Sequence, residues 1–177
     1  GSNVMNPVLL ILAALVCRAL GMVLRTETRF VAATLITTVT LAVVGYIKIS
    51  DGDYALWMVV TLIVSTILFA RRPTEPESNE DDEPSVYTWW CAPSILVLIA
   101  AGYMLDPVVS HTAEASNTPK GIIGFVVLSF FTSWPEFKMM LSFLRGERPL
   151  EAIMNMSVSN ITNLWLALAG LGIYIAL

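Results

Sequence analysis

The residue with the clearest capacity for chemistry is a glutamate inside an apolar segment. The segment reads GIIGFVVLSFFTSWPEFKMMLSFL, and Glu136 lies well inside it. If the segment crosses a membrane, a carboxylate at that position is costly unless it is paired, hydrated or protonated. Pro135 removes a backbone hydrogen bond and would free the carbonyl of Phe131, one turn earlier. Thr132 and Ser133 add hydroxyl oxygens, and hard cations prefer oxygen ligands, so the cluster predicts cation binding.

A purely structural interpretation of this cluster stays open. In it, the segment is a proline-kinked helix whose Glu136 pairs with Lys138 or with a neighbouring helix. Lys138 is two residues away and points elsewhere on a helix, which makes it a poor partner. We expect its long side chain to extend toward the cytoplasm instead.

The next apolar segment starts with an unusually polar run, AIMNMSVSNITN, and ends LWLALAGLGIYIAL. On a helix, Asn155, Ser159, Thr162 and Asn163 fall on one face. Amides and hydroxyls can complete the coordination shell of a cation without adding charge. The alternative is that these side chains hold helices together through hydrogen bonds, as Ser, Thr and Asn do in membranes.

A short internal repeat links the two ends of the chain. Residues 1–6 (GSNVMN) match residues 158–163 (VSNITN) as x-S-N-[VI]-x-N. A Gly-Ser pair at a chain start is also typical of a cloning remnant. The copies lie on the first and sixth apolar stretches, so their helices should run in opposite directions. Such an inverted repeat, with the binding site at its interface, is typical of secondary transporters.

The composition indicates that lipid surrounds much of the chain. Of the 177 residues, 56% are hydrophobic and only 14% are charged, and a soluble fold of this size could not bury so much apolar surface. Six apolar stretches are each close to the ~20 residues that cross a bilayer as a helix. We predict an all-α polytopic membrane protein with about six transmembrane helices, at residues 7–24, 30–47, 54–70, 86–105, 121–144 and 152–177.

The loop charges predict an orientation. The loops after the second and fourth stretches hold only Lys48 and Lys120, and the positive-inside rule places the more basic set of loops in the cytoplasm. Residues 71–85 (RRPTEPESNEDDEPS) are rich in proline and acid and cannot form a packed core. We therefore predict a cytoplasmic linker there, between two groups of three helices. The basic set consists of Arg18, Arg25, Arg29, Arg71, Arg72, Arg145 and Arg148.

Other function classes find little support. The net charge of −4 comes mostly from the acidic run, and no basic patch suggests nucleic acid. His111 is the only histidine, and we expect it in a loop, without a nucleophile or metal-site spacing around it. We therefore predict no enzymatic activity, no cofactor and no nucleic-acid partner. The expected partners are the lipid bilayer and inorganic cations.

These motifs together resemble a known family. The pattern T-S-x-P-E, a short R-G-E loop, and A-x-x-N-x-x-x-S-N-I-x-N resembles the second α-repeat of the sodium/calcium exchanger superfamily of cation antiporters. The spacing from Glu136 to Asn155 is similar to that of the family, and the opening GSNVMN resembles the tail of its first α-repeat. The matching residues are Thr132, Ser133, Pro135, Glu136, Arg145, Gly146, Glu147, Ala152, Asn155, Ser159, Asn160, Ile161 and Asn163.

The resemblance implies a layout: the third to eighth of the family's ten helices, within an inverted-repeat antiporter fold. Residues 1–70 would be the end of the first repeat, with three helices. Residues 71–85 would be the central cytoplasmic loop. Residues 86–177 would be the second repeat, again with three helices and with its motif at residues 129–163.

The resemblance also implies the cation ligands. Glu136 would be the acidic ligand, and Thr132 and Ser133 would supply adjoining hydroxyl and backbone oxygens. The remaining implied ligands are the carbonyl of Ser129, the side chains of Ser159 and Asn163 with Asn155 of the same polar face, and Ser2 and Asn6 in the first repeat. Phe131, Met154 and Val158 stand where the family has glycine.

The implied function is secondary active antiport, with Ca²⁺ exchanged for Na⁺ or H⁺ by alternating access around a midplane carboxylate. Glu136 would bind the cation and release it on protonation or when Na⁺ competes for its oxygens. The alternative is a truncated or degenerate exchanger-like membrane protein without transport of its own. We expect a fragment or a processed piece, completed by the missing helices of the same transporter or by a second copy of the chain.

Overall fold

The computed structural model describes residues 1–25, 29–72 and 91–177. Over these ranges the chain is helical and contains no strand, which confirms the all-α prediction. Residues 73–85 of the predicted linker and residues 86–90 of the predicted fourth stretch lie outside the described residues. The helices are α1 (Ser2–Val16), α2 (Leu20–Arg25), α3 (Arg29–Asp51), α4 (Ala55–Ala70), α5 (Cys91–Ser116), α6 (Lys120–Ile122), a π-helical segment (Ile123–Leu128), α7 (Ser129–Thr132), α8 (Trp134–Arg145) and α9 (Pro149–Ala176).

Several of these helices have the length and composition of membrane spans. Among the described residues, Val31–Ile49 and Pro149–Ala176 each qualify alone. The bent pair Lys120–Thr132 and Trp134–Arg145 is a third candidate if the pair forms one span. Helices α1 and α4 are shorter apolar helices. The first predicted stretch is broken at Arg18, which adopts a left-handed φ of 54° between α1 and α2.

The described residues fall into two compact units, one within Gly1–Thr74 together with Ser129–Leu177, and the other within Glu75–Leu128. In the first unit, α9 is the central helix and packs against α1, α2, α3, α4 and α8. An apolar core lies where α1, α8 and α9 meet. Its most deeply buried side chains include Leu9, Ala13, Met140, Ala152 and Met156.

Helices α3 and α4 place small polar side chains inside the first unit and large aliphatic side chains on its surface. Helices α3 and α4 bury Thr34, Thr38, Thr61 and Ser65 almost completely. Their large aliphatic side chains, such as Leu56, point outward and are exposed. Small hydroxyl residues inside and large apolar residues outside is the arrangement expected of helices that pack within lipid.

Helices α3 and α4 approach each other closely at a glycine. A Cβ atom at Gly45 would overlap the indole ring of Trp57. The Trp57 indole N–H donates a 2.8 Å hydrogen bond to the carbonyl of Leu41. The absence of a side chain at Gly45 therefore makes room for an aromatic ring that ties α4 to the backbone of α3.

In the second unit, α5 packs against α6 and the π-helical segment. The prediction that His111 lies in a loop is wrong, because α5 continues through Pro107 to Ser116. The Thr112 hydroxyl donates a 2.8 Å hydrogen bond to the Val108 carbonyl, so this polar stretch satisfies its hydroxyls on the preceding helical turn. His111 is exposed on that helix.

Candidate cation site

The helix that carries Glu136 is broken next to it. Helix α7 ends at Thr132, α8 begins at Trp134, and Ser133 lies between them as the N-cap of α8. Pro135 lies in the first turn of α8, where a backbone N–H would have no helical partner anyway. Pro135 therefore lies in the first turn of α8, directly after the break, and not in the interior of a helix.

Ser133 is an atypical N-cap. A serine at this position usually accepts a hydrogen bond from a backbone N–H of the first turn. Here its hydroxyl makes no capping bond, the residue is only 1% exposed, and Ser133 Oγ has no hydrogen-bond partner within the described part of the chain. The break thus leaves a buried hydroxyl oxygen available three residues before Glu136.

Glu136 is half-buried, and its two carboxylate oxygens differ. Oε1 accepts a 3.0 Å hydrogen bond from the Ser159 hydroxyl of α9. Oε2 is buried and has no hydrogen-bond partner among residues 1–25, 29–72 and 91–177. Lys138 is exposed, and the observed partner of Glu136 is Ser159.

Asn6 of α1 reaches the same serine from the other end of the chain. Its amide nitrogen donates hydrogen bonds to Ser159 Oγ (3.3 Å) and to Asn160 Oδ1 (2.9 Å). The residue is completely buried, and its Oδ1 has no hydrogen-bond partner in the described residues. Ser159 therefore joins the acidic residue of the predicted site to its predicted first-repeat amide.

The remaining predicted ligands on α1 and α7 form a second chain of contacts. The hydroxyls of Ser2 and Thr132 are 3.0 Å apart, and the Thr132 hydroxyl donates a 3.3 Å bond to the Ser129 carbonyl. The same carbonyl accepts the backbone N–H of Ser133 at 3.1 Å. The Ser129 carbonyl is thus already used twice within its own helix turn.

The predicted α9 ligands lie at different places. Asn163 lines a cavity of about 320 Å³ together with Ser2 and Asn3. Asn155 is half-buried, and its amide nitrogen is buried without a hydrogen-bond partner in the described ranges. Thr162, predicted on the same polar face, is exposed, and its hydroxyl donates to its own helix.

Sequence reasoning missed Asn3, Asn160 and Thr38 as parts of the site. The amide nitrogen of Asn3 donates to the backbone carbonyl of Asn160 at 3.0 Å, and that of Asn160 donates to the carbonyl of Asn3 at 3.3 Å. Asn160 also donates to the Thr38 hydroxyl oxygen at 3.2 Å. The signal for the two asparagines was present, because they occupy matching positions of the x-S-N-[VI]-x-N repeat. Thr38 lies in a run of apolar and threonine residues that has no such signal.

Four buried oxygens of this region lack a hydrogen-bond partner among the described residues, and we call them the open oxygens. They are Glu136 Oε2, Asn6 Oδ1, Ser133 Oγ and Asn3 Oδ1. A buried acceptor without a partner costs about 1–3 kcal/mol, and a bound cation would remove that cost. All four are hard oxygen donors of the kind that Ca²⁺ and Na⁺ accept.

The charge of the donor set suits an ion that must also leave. No group of three or more His, Cys, Asp or Glu side chains could hold a metal in the part of the chain that the structure describes. The open oxygens thus combine one carboxylate with neutral amides and a hydroxyl. Because cation affinity rises with ligand charge, such a set favours reversible binding over permanent retention.

Comparison with known proteins gives the family. The family model described as sodium/calcium exchanger protein matches residues 86–176, which is 91 of the 177 residues and includes both Glu136 and Ser159. No curated protein and no solved structure matches the chain. The matched segment covers more than half of the chain, and the chain belongs to the sodium/calcium exchanger protein family, whose members are multi-spanning membrane transporters.

Proposed function

We propose that this chain exchanges cations across a membrane, with Glu136 as the charged ligand of the transported ion. The observation that carries the proposal is the link from Glu136 Oε1 through Ser159 Oγ to the amide of Asn6. This link joins a carboxylate of the proposed second repeat and an amide of the proposed first repeat in one hydrogen-bonded group. The proposed exchange is of Ca²⁺ against Na⁺ or H⁺.

The proposed binding step uses the open oxygens. Ser159 holds one carboxylate oxygen of Glu136, so the carboxylate presents Oε2 without a competing hydrogen bond. Asn6 Oδ1 and Ser133 Oγ would add neutral ligands. Protonation of Glu136, or Na⁺ binding to the same oxygens, would release the divalent cation. The position of the site at the membrane midplane is part of the proposal, because a broken helix there is typical of secondary transporters.

The reciprocal bonds between Asn3 and Asn160 support an inverted repeat. Each amide donates to the backbone carbonyl of the other residue, as two copies of one motif related by a two-fold axis would do. In this proposal, residues 1–70 and 86–177 are parts of two repeats, and residues 71–85 are a cytoplasmic linker. The carboxylate of the first repeat would come from further helices of the transporter or from a second copy.

Flux measurements on the full chain in proteoliposomes test the proposal. Radioactive Ca²⁺ uptake is followed under an outward Na⁺ gradient and, separately, under an outward H⁺ gradient. Wild type is compared with Glu136→Gln, which keeps the side-chain shape but removes the charge. The matched control is Glu151→Gln, which makes the same change at a glutamate outside the proposed ligand set. Glu151 forms a 3.3 Å ion pair with Arg148.

We expect gradient-driven uptake in wild type and in Glu151→Gln, and background uptake in Glu136→Gln. The gradient that drives uptake identifies the counter-ion. Equal background uptake in wild type and Glu136→Gln under both gradients would overturn the proposal in favour of an exchanger-like protein without transport.

A further inference from the structure

We infer that Asn160 is a positioning residue that holds the amide of Asn6 with its oxygen toward the cation. The inference rests on the proposed function, because it concerns the same site. Asn160 is completely buried, and its own Oδ1 already accepts a 2.9 Å bond from Asn6. Its role would be to orient a ligand, while the cation is bound by other side chains.

The orientation of both amides follows from a backbone carbonyl. A carbonyl oxygen can only accept, so the side-chain atom of Asn160 that faces the Asn3 carbonyl must be the nitrogen, Nδ2. The same nitrogen donates to Thr38, whose hydroxyl hydrogen is used on the Leu35 carbonyl at 3.1 Å. The Oδ1 of Asn160 must then face Asn6, and it requires the nitrogen of Asn6 as its donor. The Oδ1 of Asn6 is left as an open oxygen.

The carbonyl of Asn3 is available because of a proline. Pro7 lies inside α1, four residues after Asn3, and has no N–H to donate to the carbonyl one turn earlier. In an uninterrupted helix, the N–H of residue 7 would bond this carbonyl. Pro7 therefore leaves the Asn3 carbonyl free to accept from Asn160. Asn160, held in this way, orients Asn6, which is a proposed cation ligand.

A reversed Asn6 amide would work against cation binding. Its N–H groups would then point where the open oxygen now lies, and their partial positive charge would repel a cation. Ser159 also accepts from the Asn6 nitrogen while its hydroxyl hydrogen is donated to Glu136, but a hydroxyl that turns away from Glu136 could donate to a reversed amide. The oxygen of Asn160 is the acceptor whose own orientation is set by the backbone.

The test measures equilibrium binding of radioactive Ca²⁺ to the full chain in lipid nanodiscs, with thermal melting as a check on folding. Asn160→Leu keeps a similar volume and removes the acceptor for Asn6. We expect its Ca²⁺ dissociation constant to rise about tenfold, the effect of about one hydrogen bond. Ser157→Ala is the matched control, because it removes a buried hydroxyl of α9 that bonds the carbonyl of Ile153 on its own helix.

If Asn160 acts by orienting the Asn6 amide, its effect must vanish when the side chain at position 6 ends in two equivalent oxygens. In an Asn6→Asp background both side-chain oxygens can face the cation, so adding Asn160→Leu should weaken Ca²⁺ binding no further. A purely structural role of Asn160 predicts the same loss in both backgrounds, and that outcome would overturn the inference.

Pro7→Ala covers the case in which Asn160→Leu does not fold. Restoring the N–H should raise the melting temperature, because proline is unfavourable inside a helix, yet it should weaken Ca²⁺ binding several-fold by competing for the Asn3 carbonyl. Wild-type Ca²⁺ affinity in Pro7→Ala, or in a folded Asn160→Leu, overturns the inference about Asn160. The proposed function still stands in that case if Ca²⁺ binding depends on Glu136. No Ca²⁺ binding by wild type overturns both.

Discussion

The Ser159 hydroxyl donates a 3.0 Å hydrogen bond to Oε1 of Glu136, across the interface between α8 and α9. Ser159 Oγ in turn accepts a 3.3 Å hydrogen bond from the side-chain amide of Asn6 on α1. Two consecutive helices, α8 and α9, therefore meet α1 from the other end of the chain at one hydroxyl group. Glu136 Oε2 and Asn6 Oδ1 remain open oxygens in this arrangement, on which the predictions for Ser159 and Ser133 depend.

Ser159→Ala should weaken Ca²⁺ binding about tenfold or more. The substitution removes a hydrogen bond to a charged group and leaves Glu136 Oε1 without its partner. Thr162→Ala is the control, because the Thr162 hydroxyl is exposed and bonds its own helix. Binding is measured on both variants by equilibrium Ca²⁺ titration in nanodiscs. Unchanged affinity in Ser159→Ala would show that this bond does not shape the cation site.

Ser133→Ala should change stability and binding in opposite directions. The Ser133 hydroxyl is an open oxygen, so its removal should leave the melting temperature without Ca²⁺ unchanged or slightly higher. If the hydroxyl is a cation ligand, the same substitution weakens Ca²⁺ binding several-fold. Ser142→Ala, at an exposed serine of α8, should alter neither quantity. A loss of stability with normal Ca²⁺ affinity would contradict the ligand role.

Gly45→Ala should destabilise the first unit by about 1–3 kcal/mol, the usual range for overpacking. The added methyl group overlaps the Trp57 ring, which packs against α3 at this point. Gly170→Ala is the matched control, since nothing lies within 4 Å of a Cβ there, and it should be neutral or stabilising. Thermal melting in detergent compares the two. Adding Trp57→Leu should recover part of the stability that Gly45→Ala loses. If no stability is recovered, the overlap with the Trp57 ring is not the cause of the loss.

Met140→Ala should lower stability by about 2 kcal/mol, because it opens a cavity in the core between α1, α8 and α9. The neighbouring Met139 is 46% exposed, so Met139→Ala should have little effect. In lipid the loss is mainly one of packing, since the surrounding solvent is itself apolar. Equal melting temperatures for the two variants would argue against this core.

The sequence predicted the parts of the fold that depend on local composition. Apolar stretches long enough to span a bilayer predict helices, since only internal hydrogen bonding satisfies a backbone in lipid. Helix boundaries were less predictable. Helix α5 runs on past Pro107, although proline is unfavourable in a helix interior. The stretch around Glu136 is divided at Ser133, and Pro135 lies in the first turn of α8, where proline is tolerated.

For the candidate site as well, the sequence predicted some features and helix packing decided others. The x-S-N-[VI]-x-N repeat and the T-S-x-P-E motif are read from the residues alone, and they identified Glu136, Ser159 and Asn6 as candidates. The repeat did not reveal that Asn3 and Asn160 bond each other, because hydrogen bonds between residues so far apart are set by helix packing.

The sequence by itself determined an all-helical, lipid-embedded chain with an acidic residue among hydroxyl and amide oxygens, because hydropathy and residue chemistry are local properties. The tertiary structure decided which oxygens are satisfied and which are open. That distinction depends on the backbone carbonyls that lie opposite each amide, and for Asn160 the relevant carbonyl belongs to Asn3, at the other end of the chain. Glu136 has one oxygen held and one open for the same reason, since Ser159 reaches only Oε1.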